Sequence, residues 1–122
     1  MLRIERPNFG VTFEPANLLS CGDNNGPDAL RHLMPYLVNF YFQNIRLDPS
    51  GAHTFMTRAR APVSLLYLPL DDPSGIEISP LIDVLREYGY AGWASVHQPL
   101  RDGQSVEDAL AEAARIFVPL VA

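Results

Sequence analysis

Three short strand-forming runs in this chain end in side chains able to hold a proton or a cation. "GVTFEP" ends its strand-forming part in Glu14, "VNFYFQN" carries Gln43, and "GWASVHQ" carries His97. Val11, Thr12 and Phe13 favour a pleated backbone and Pro15 cannot donate to a ladder, so the first run stops at Glu14. Side chains alternate along a strand. Val11 and Phe13, Phe40 and Phe42, and Ala94 and Val96 therefore form apolar faces, opposite Thr12 and Glu14, Asn39, Tyr41 and Gln43, and Ser95 and His97. In a parallel sheet the three polar ends lie on one edge, where ligands bind in open α/β sheets and in (β/α) barrels. A carboxylate, an amide oxygen and an imidazole suit a borderline divalent ion such as Mn²⁺ or Zn²⁺, with Co²⁺ and Mg²⁺ as further candidates, and they equally suit a hydrogen-bond network.

Other residues carry weaker signals. Tyr41 either lines a pocket with its hydroxyl or packs. Arg46 follows the second strand closely enough to reach a substrate oxygen or a phosphate, and as a loop arginine it can equally stay solvated. Asn17 and Trp93 are pocket or packing residues. His53, Arg58 and Arg60 fall in a long loop that could form a lid or lie exposed, and His32 belongs to a helix surface. The single Cys21 excludes an internal disulfide and a cysteine-based zinc cage, and reads as an unpaired structural thiol.

The elements that must position these residues alternate between strands and helices. After Glu14 a polar, glycine-bearing loop leads to "GPDALRHLMPYL", where Leu30, Leu33, Met34 and Leu37 recur at helical spacing, with Asn25 as the expected cap and Pro27 in the first turn. The second strand follows, then "LDPSGAHTFMTRARAP" as a long loop and "VSLLYLPL" as a short extended segment. "SPLIDVLREYGY" is a helix capped by Ser79, with Pro80 in its first position, Leu81, Ile82 and Leu85 as its stripe and Gly89 at its end. After the third strand, "SVEDALAEAARIFVPLVA" opens on a Ser105–Asp108 capping box and places Val106, Leu110, Ala113 and Phe117 on one side. Strands alternating with helices imply parallel strands and an α/β fold.

At 122 residues the chain is about one domain, and 48% hydrophobic with 19% charged residues is an ordinary globular composition. A net charge of −5 argues against a nucleic-acid or anionic-membrane surface. No apolar run is long enough to span a bilayer, and "MLRIERPNFG" lacks the apolar segment of a signal peptide, so the expected location is cytoplasmic.

The series "GVTFEPANL", "PYLVNFYFQN" and "GIEISPLIDVLREYGYAGWASVH" resembles the C-terminal part of sugar phosphate isomerases/epimerases with a xylose isomerase-like TIM barrel, a superfamily that includes endonuclease IV. "LREYGYAGWASVH" carries most of the likeness: it looks like the family's helix, its Gly-Tyr-x-Gly turn and its last strand. The resemblance implies a partial (β/α) TIM barrel of three to four C-terminal βα units with parallel strands, forming one incomplete barrel over residues 1–122. It also implies a divalent metal, held here by Glu14, Gln43 and His97, with Glu14 and His97 as the catalytic pair. A sugar or polyol would be the small-molecule partner, with Asn17, Tyr41 and Arg46 at the substrate.

The chain departs from the family pattern at each matched ligand. Glu14 falls where Asp is usual, Tyr41 where His is usual with Gln43 two residues on, and His97 replaces the final Glu; the first Glu would lie upstream. A metal-bound His97 has its lone pair engaged, which favours a one-base isomerisation, or elimination from a keto sugar, over two-sided epimerisation. A DNA-repair role fits poorly, because it needs several metals and a cationic groove. Three parallel strands leave a bare face and open edges. The expectation is therefore either a fragment of a full enzyme or a chain whose open sheet is covered by self-association or by a partner chain. A non-catalytic binding or assembly subunit without the metal is the alternative reading.

Overall fold

The computed structural model describes residues 6–58 and 60–121. Ala59, inside the long loop expected from the sequence, and residues 1–5 and 122 lie outside it. Strand β1 (Val11–Phe13) is followed by helix α1 (Pro15–Cys21), helix α2 (Pro27–Leu33) and a 3₁₀ turn (Met34–Tyr36). Strands β2 (Leu37–Phe42), β3 (Ile45–Leu47), β4 (His53–Phe55) and β5 (Val63–Tyr67) come next. Helix α3 (Ser79–Glu87), strand β6 (Trp93–Val96) and helix α4 (Val106–Val121) complete the order.

The expected parallel sheet is present, in the order β1-β2-β6. Phe13 pairs with Phe40, while Phe40 and Phe42 pair with Ala94 and Val96, and the His97 N–H donates to the Phe42 carbonyl at 2.9 Å, carrying the ladder one residue past β6. One face is apolar: Phe13, Phe40 and Phe42 stack in sequence at 6.2 and 6.3 Å, and Phe117 of α4 meets Phe42 edge-on at 6.1 Å. Leu30 of α2 and Leu81, Ile82, Val84 and Leu85 of α3 bury the rest of that face. The fold is mixed α/β with a parallel three-stranded sheet, as the alternating pattern implies.

The segment expected to be a long loop and one extended piece is a second sheet, antiparallel, in the order β3-β5-β4. Its strands are short, yet Ile45 and Leu65 are fully buried, Thr54 pairs with Ser64, and the strand pairings replace the solvation a loop backbone would need. "DPSG" occurs at both ends of this insertion and folds alike each time. Asp48 accepts from the Ser50 N–H and hydroxyl at 2.9 and 2.6 Å, and Asp72 accepts from those of Ser74 at 2.8 and 2.7 Å. A Cβ on Gly75 would overlap the Asn44 side chain, so only glycine lets the second turn approach.

Three further expectations are corrected. The loop after Glu14 is helix α1: Pro15 ends the strand and also fits the first helical turn, and Ala16 and Ser20 are buried. Gly26, extended in backbone, precedes α2 in place of Asn25, and its N–H is held by Asn24 Oδ1 at 3.0 Å. Ile78, not Ser79, precedes α3, because the buried Ile78 presents its carbonyl to the N–H groups of Leu81 and Ile82 at 3.0 Å; Ser79 is the first helical residue and Pro80 the second.

Other expectations hold. Gly89 ends α3 at φ +60°, the left-handed conformation expected of it, and the Tyr90 N–H returns to the Leu85 carbonyl at 2.8 Å. The Ser105–Asp108 box forms, with the Asp108 N–H 3.0 Å from Ser105 Oγ and the Ser105 N–H 3.3 Å from Asp108 Oδ2. The apolar stripe of α4 is covered only in its second half, where Ala113 and Phe117 pack on the core while Val106 and Leu110 are exposed.

Candidate functional site

Glu14, Gln43 and His97 meet at the C-terminal edge of the parallel sheet. Glu14 sits between β1 and α1, and its side chain makes no helix-capping hydrogen bond. Its carboxylate is instead claimed from two sides: Gln43 Nε2 donates to Oε1 at 2.7 Å and Asn17 Nδ2 donates to Oε2 at 2.6 Å. Asn17 reaches it because α1 starts at Pro15 and brings residue 17 back over the strand end. His97 Nδ1 lies 3.5 Å from Glu14 Oε1, close enough for an ion pair when the ring is protonated. The Glu14 side chain is 15% exposed and that of His97 68%, so the acid is sheltered and the imidazole opens to solvent.

These residues line a cavity of about 500 Å³ together with Phe55, Tyr67, Gln98 and Pro99. Phe55 ends β4 and Tyr67 ends β5, so the antiparallel sheet supplies the wall of the cavity that faces the strand ends. Burial raises the Tyr67 hydroxyl above the usual tyrosine range and the Glu14 charge adds to it, so the phenol stays a hydrogen-bond donor at neutral pH. Edge-on contact from His53, with ring centroids 4.8 Å apart, fixes the Tyr67 ring.

Behind the cavity the backbone is locked by two amides. Fully buried Asn44 donates to the carbonyls of Pro69 and Asp72 at 2.8 and 2.9 Å and accepts from the Ile76 N–H at 2.7 Å. Gln98 accepts from the Asn44 N–H at 2.8 Å and donates to the Leu68 carbonyl. Asn44 and Gln98 each directly follow a candidate ligand, Gln43 and His97; that adjacency was the one available sign that they anchor the site.

The other residues singled out in the sequence go elsewhere. Tyr41 lies beside His97, ring centroids 5.8 Å apart and tilted by 50°, but is not among the lining residues of this cavity. Arg46 is drawn off by the two "DPSG" turns: its guanidinium reaches Ser74 Oγ at 3.3 Å and Asp48 Oδ2 at 3.5 Å. His53 lies in a strand rather than a loop, Arg58 and Arg60 are exposed, and Trp93 is 78% exposed at the free side of β6. His32 Nδ1 meets the Asp28 carbonyl at 2.8 Å on the surface of α2, and Cys21 is a free thiol at the end of α1.

No protein-family profile and no curated protein matches the chain. Among solved structures, it is similar to the crystal structure of a xylose isomerase domain protein from Planctomyces limnophilus, with a TM-score of 0.65 and 24% identity over 95% of this chain. The fold is xylose isomerase-like. The chain spans 39% of the length of that protein, and its parallel sheet and helices correspond to part of a TIM barrel. In a xylose isomerase-like barrel the C-terminal strand edge is the ligand-binding edge, and it is the edge at which Glu14, Gln43 and His97 converge.

The donor set fits a divalent ion in part. Glu14 and His97 supply a carboxylate and an imidazole at one point, and Gln43 would offer its oxygen after turning its amide. Among the described residues no group of three His, Cys, Asp or Glu side chains is placed to hold an ion. Both Glu14 oxygens already accept from amides. Among the described residues, too, no helix is long and apolar enough to cross a membrane.

Proposed function

We propose that this chain carries the ligand-binding strand ends of a sugar isomerase/epimerase-type barrel, and that the cavity at Glu14 takes a sugar or polyol. The observation that supports this is the convergence of Glu14, Asn17, Gln43 and His97 on one cavity at the C-terminal edge of the parallel sheet. Amide and carboxylate groups placed a few ångströms apart suit the adjacent hydroxyls of such a ligand.

Glu14, His97 and Gln43 are the residues that would hold a divalent ion, Mn²⁺, Zn²⁺, Co²⁺ or Mg²⁺, once further donors complete its sphere. A bound ion would supply polarisation of a substrate carbonyl. In this reading Glu14, which lines the cavity, would take a proton from carbon, with His97 as its partner. Isomerisation, epimerisation or dehydration of a keto sugar or polyol then belongs to a completed site. One observation favours a second reading, a binding or assembly subunit without chemistry: both oxygens of the Glu14 carboxylate already accept from amide donors without any ion. We also propose that the open edges of the sheet are covered by a second copy or a partner chain.

Calorimetric titration of the wild-type chain, Glu14→Ala and His97→Ala with Mn²⁺ and Zn²⁺ tests the metal reading. The expected outcome is binding that each substitution weakens by about tenfold or more, the size of effect common at metal sites. Heat changes that neither substitution alters would rule out this site, and a complete lack of binding would favour the subunit reading.

A further inference from the structure

The cavity has two unlike walls, and the proposed function uses one. Glu14, Asn17, Gln43 and His97 make the polar wall; Phe55 and Tyr67 stand in the other. By strand alternation and pairing, His53, Phe55, Leu65 and Tyr67 share one face of the antiparallel sheet. Leu65, on the same face, is buried in the core and His53 bears on the Tyr67 ring, so the wall is rigid rather than a loose flap. Phe55 is 38% exposed, at the position where a ligand in the cavity would cover it. A ligand that satisfies both walls has hydroxyls on one side and a C–H surface on the other.

The charge at the site points the same way. Among the described residues that line the cavity there is a carboxylate, Glu14, and no lysine or arginine, so no fixed cation offsets its repulsion of an anionic group. Arg46, the cation within reach of a phosphate on sequence grounds, is engaged with Asp48 and Ser74.

Resting on the proposed sugar or polyol site, we propose that Phe55 and Tyr67 are its specificity-determining residues. They form an aromatic wall that stacks the C–H face of a neutral sugar or polyol and leaves no favourable place for its phosphate ester. The Tyr67 hydroxyl, a donor at neutral pH like any tyrosine's, donates to a ligand oxygen at the rim of the wall.

The test is binding of D-fructose, sorbitol and D-fructose 6-phosphate to the wild-type chain, Phe55→Ala, Tyr67→Ala, Tyr67→Phe and Glu14→Gln, by calorimetry with thermal melts on the same samples. The expected result is tighter binding of a neutral ligand than of the phosphate ester. Loss of either ring should weaken neutral binding by about two- to tenfold, the range for an aromatic contact, and Tyr67→Phe should lose less than Tyr67→Ala. Where an alanine variant melts early, Phe55→Leu and Tyr67→Leu replace it. Unchanged binding in both ring variants, with loss in Glu14→Gln, would overturn the aromatic wall and leave the site reading standing. Equal or tighter binding of the phosphate ester would overturn the neutral-ligand preference. No binding of any of the three to wild type would overturn the site reading, and this inference with it.

Discussion

At the scale of single residues, the site depends on amides as much as on acids. Asn44 has no solvent exposure, and its side chain ties together three backbone groups of the segment between β5 and α3. Removing it leaves two carbonyls and an N–H without partners in a closed space, and each such group costs about 1–3 kcal/mol. Asn44→Ala should therefore lower unfolding stability by at least about 2 kcal/mol in urea titration. Asn44→Asp should do little better, because an ionised carboxylate cannot donate to the carbonyls of Pro69 and Asp72. An Asn44→Ala chain as stable as wild type would show that water replaces these bonds. The same accounting explains Glu14, whose sheltered carboxylate is tolerated because Asn17 and Gln43 donate to it.

At the scale of elements, α4 is held by a part-buried polar clamp to the loop before it and to the segment after β5, as well as to the sheet by Phe117. Glu112, with its side chain 12% exposed, accepts from Arg101 at 3.1 and 2.8 Å, from Gln104 at 2.8 Å and from the Leu70 N–H at 2.8 Å. The Arg101 hydrogen bond is the main reason the carboxyl is held below the usual carboxylate range, against burial that pushes it up. The folded chain thus binds this proton less readily than the unfolded chain. The stabilisation is fully present above the ordinary value of about 4.5 and is lost as pH falls through the depressed folded value. Glu112→Gln should lower stability at pH 7, by about 1–3 kcal/mol for hydrogen bonds to a charged group, and should flatten the acid limb of the stability curve. Parallel curves for the two proteins below pH 4.5 would contradict this.

What could be read from the sequence divides along the same elements. Helices α3 and α4 carry helical spacing over two turns or more; α2 is as short as α1, and its helical spacing shows only because it runs on through the 3₁₀ turn to Leu37, the first residue of β2, which shows clean alternation, so these positions and the polar strand ends follow from periodicity. Helix α1, with seven residues, and strands β3 and β4, with three each, are too short to show a period, and only tertiary packing selects them. Phe55 and Tyr67 escaped notice for that reason. Their place in the site is set by how the antiparallel sheet lies over the strand ends, which no local pattern encodes.

At the scale of the whole molecule, the apolar face of the parallel sheet is buried at Phe13, Phe40 and Phe42 of β1 and β2 and left open at β6. Among the described residues strand β6 pairs with β2 alone, and Trp93 and Val96 on it are 78% and 41% exposed. Leu100, in the loop after it, and Val106 and Leu110, in the first turns of α4, are also 50–65% exposed. An unpaired strand edge beside exposed apolar side chains is a template for another chain, and scattered single residues would not produce it. The chain should therefore associate as its concentration rises, with sedimentation velocity showing species larger than one chain and a melting temperature that climbs with concentration. Val96→Lys combined with Leu110→Glu places charge on this surface without touching the Glu14 cavity, so it should return the chain to a single-chain species while sugar binding persists. If the wild-type chain stays a cooperatively melting monomer at every concentration, the exposed edge is tolerated as it stands and no covering chain is needed for stability. If the double variant loses both association and sugar binding, the covering chain contributes to the site itself.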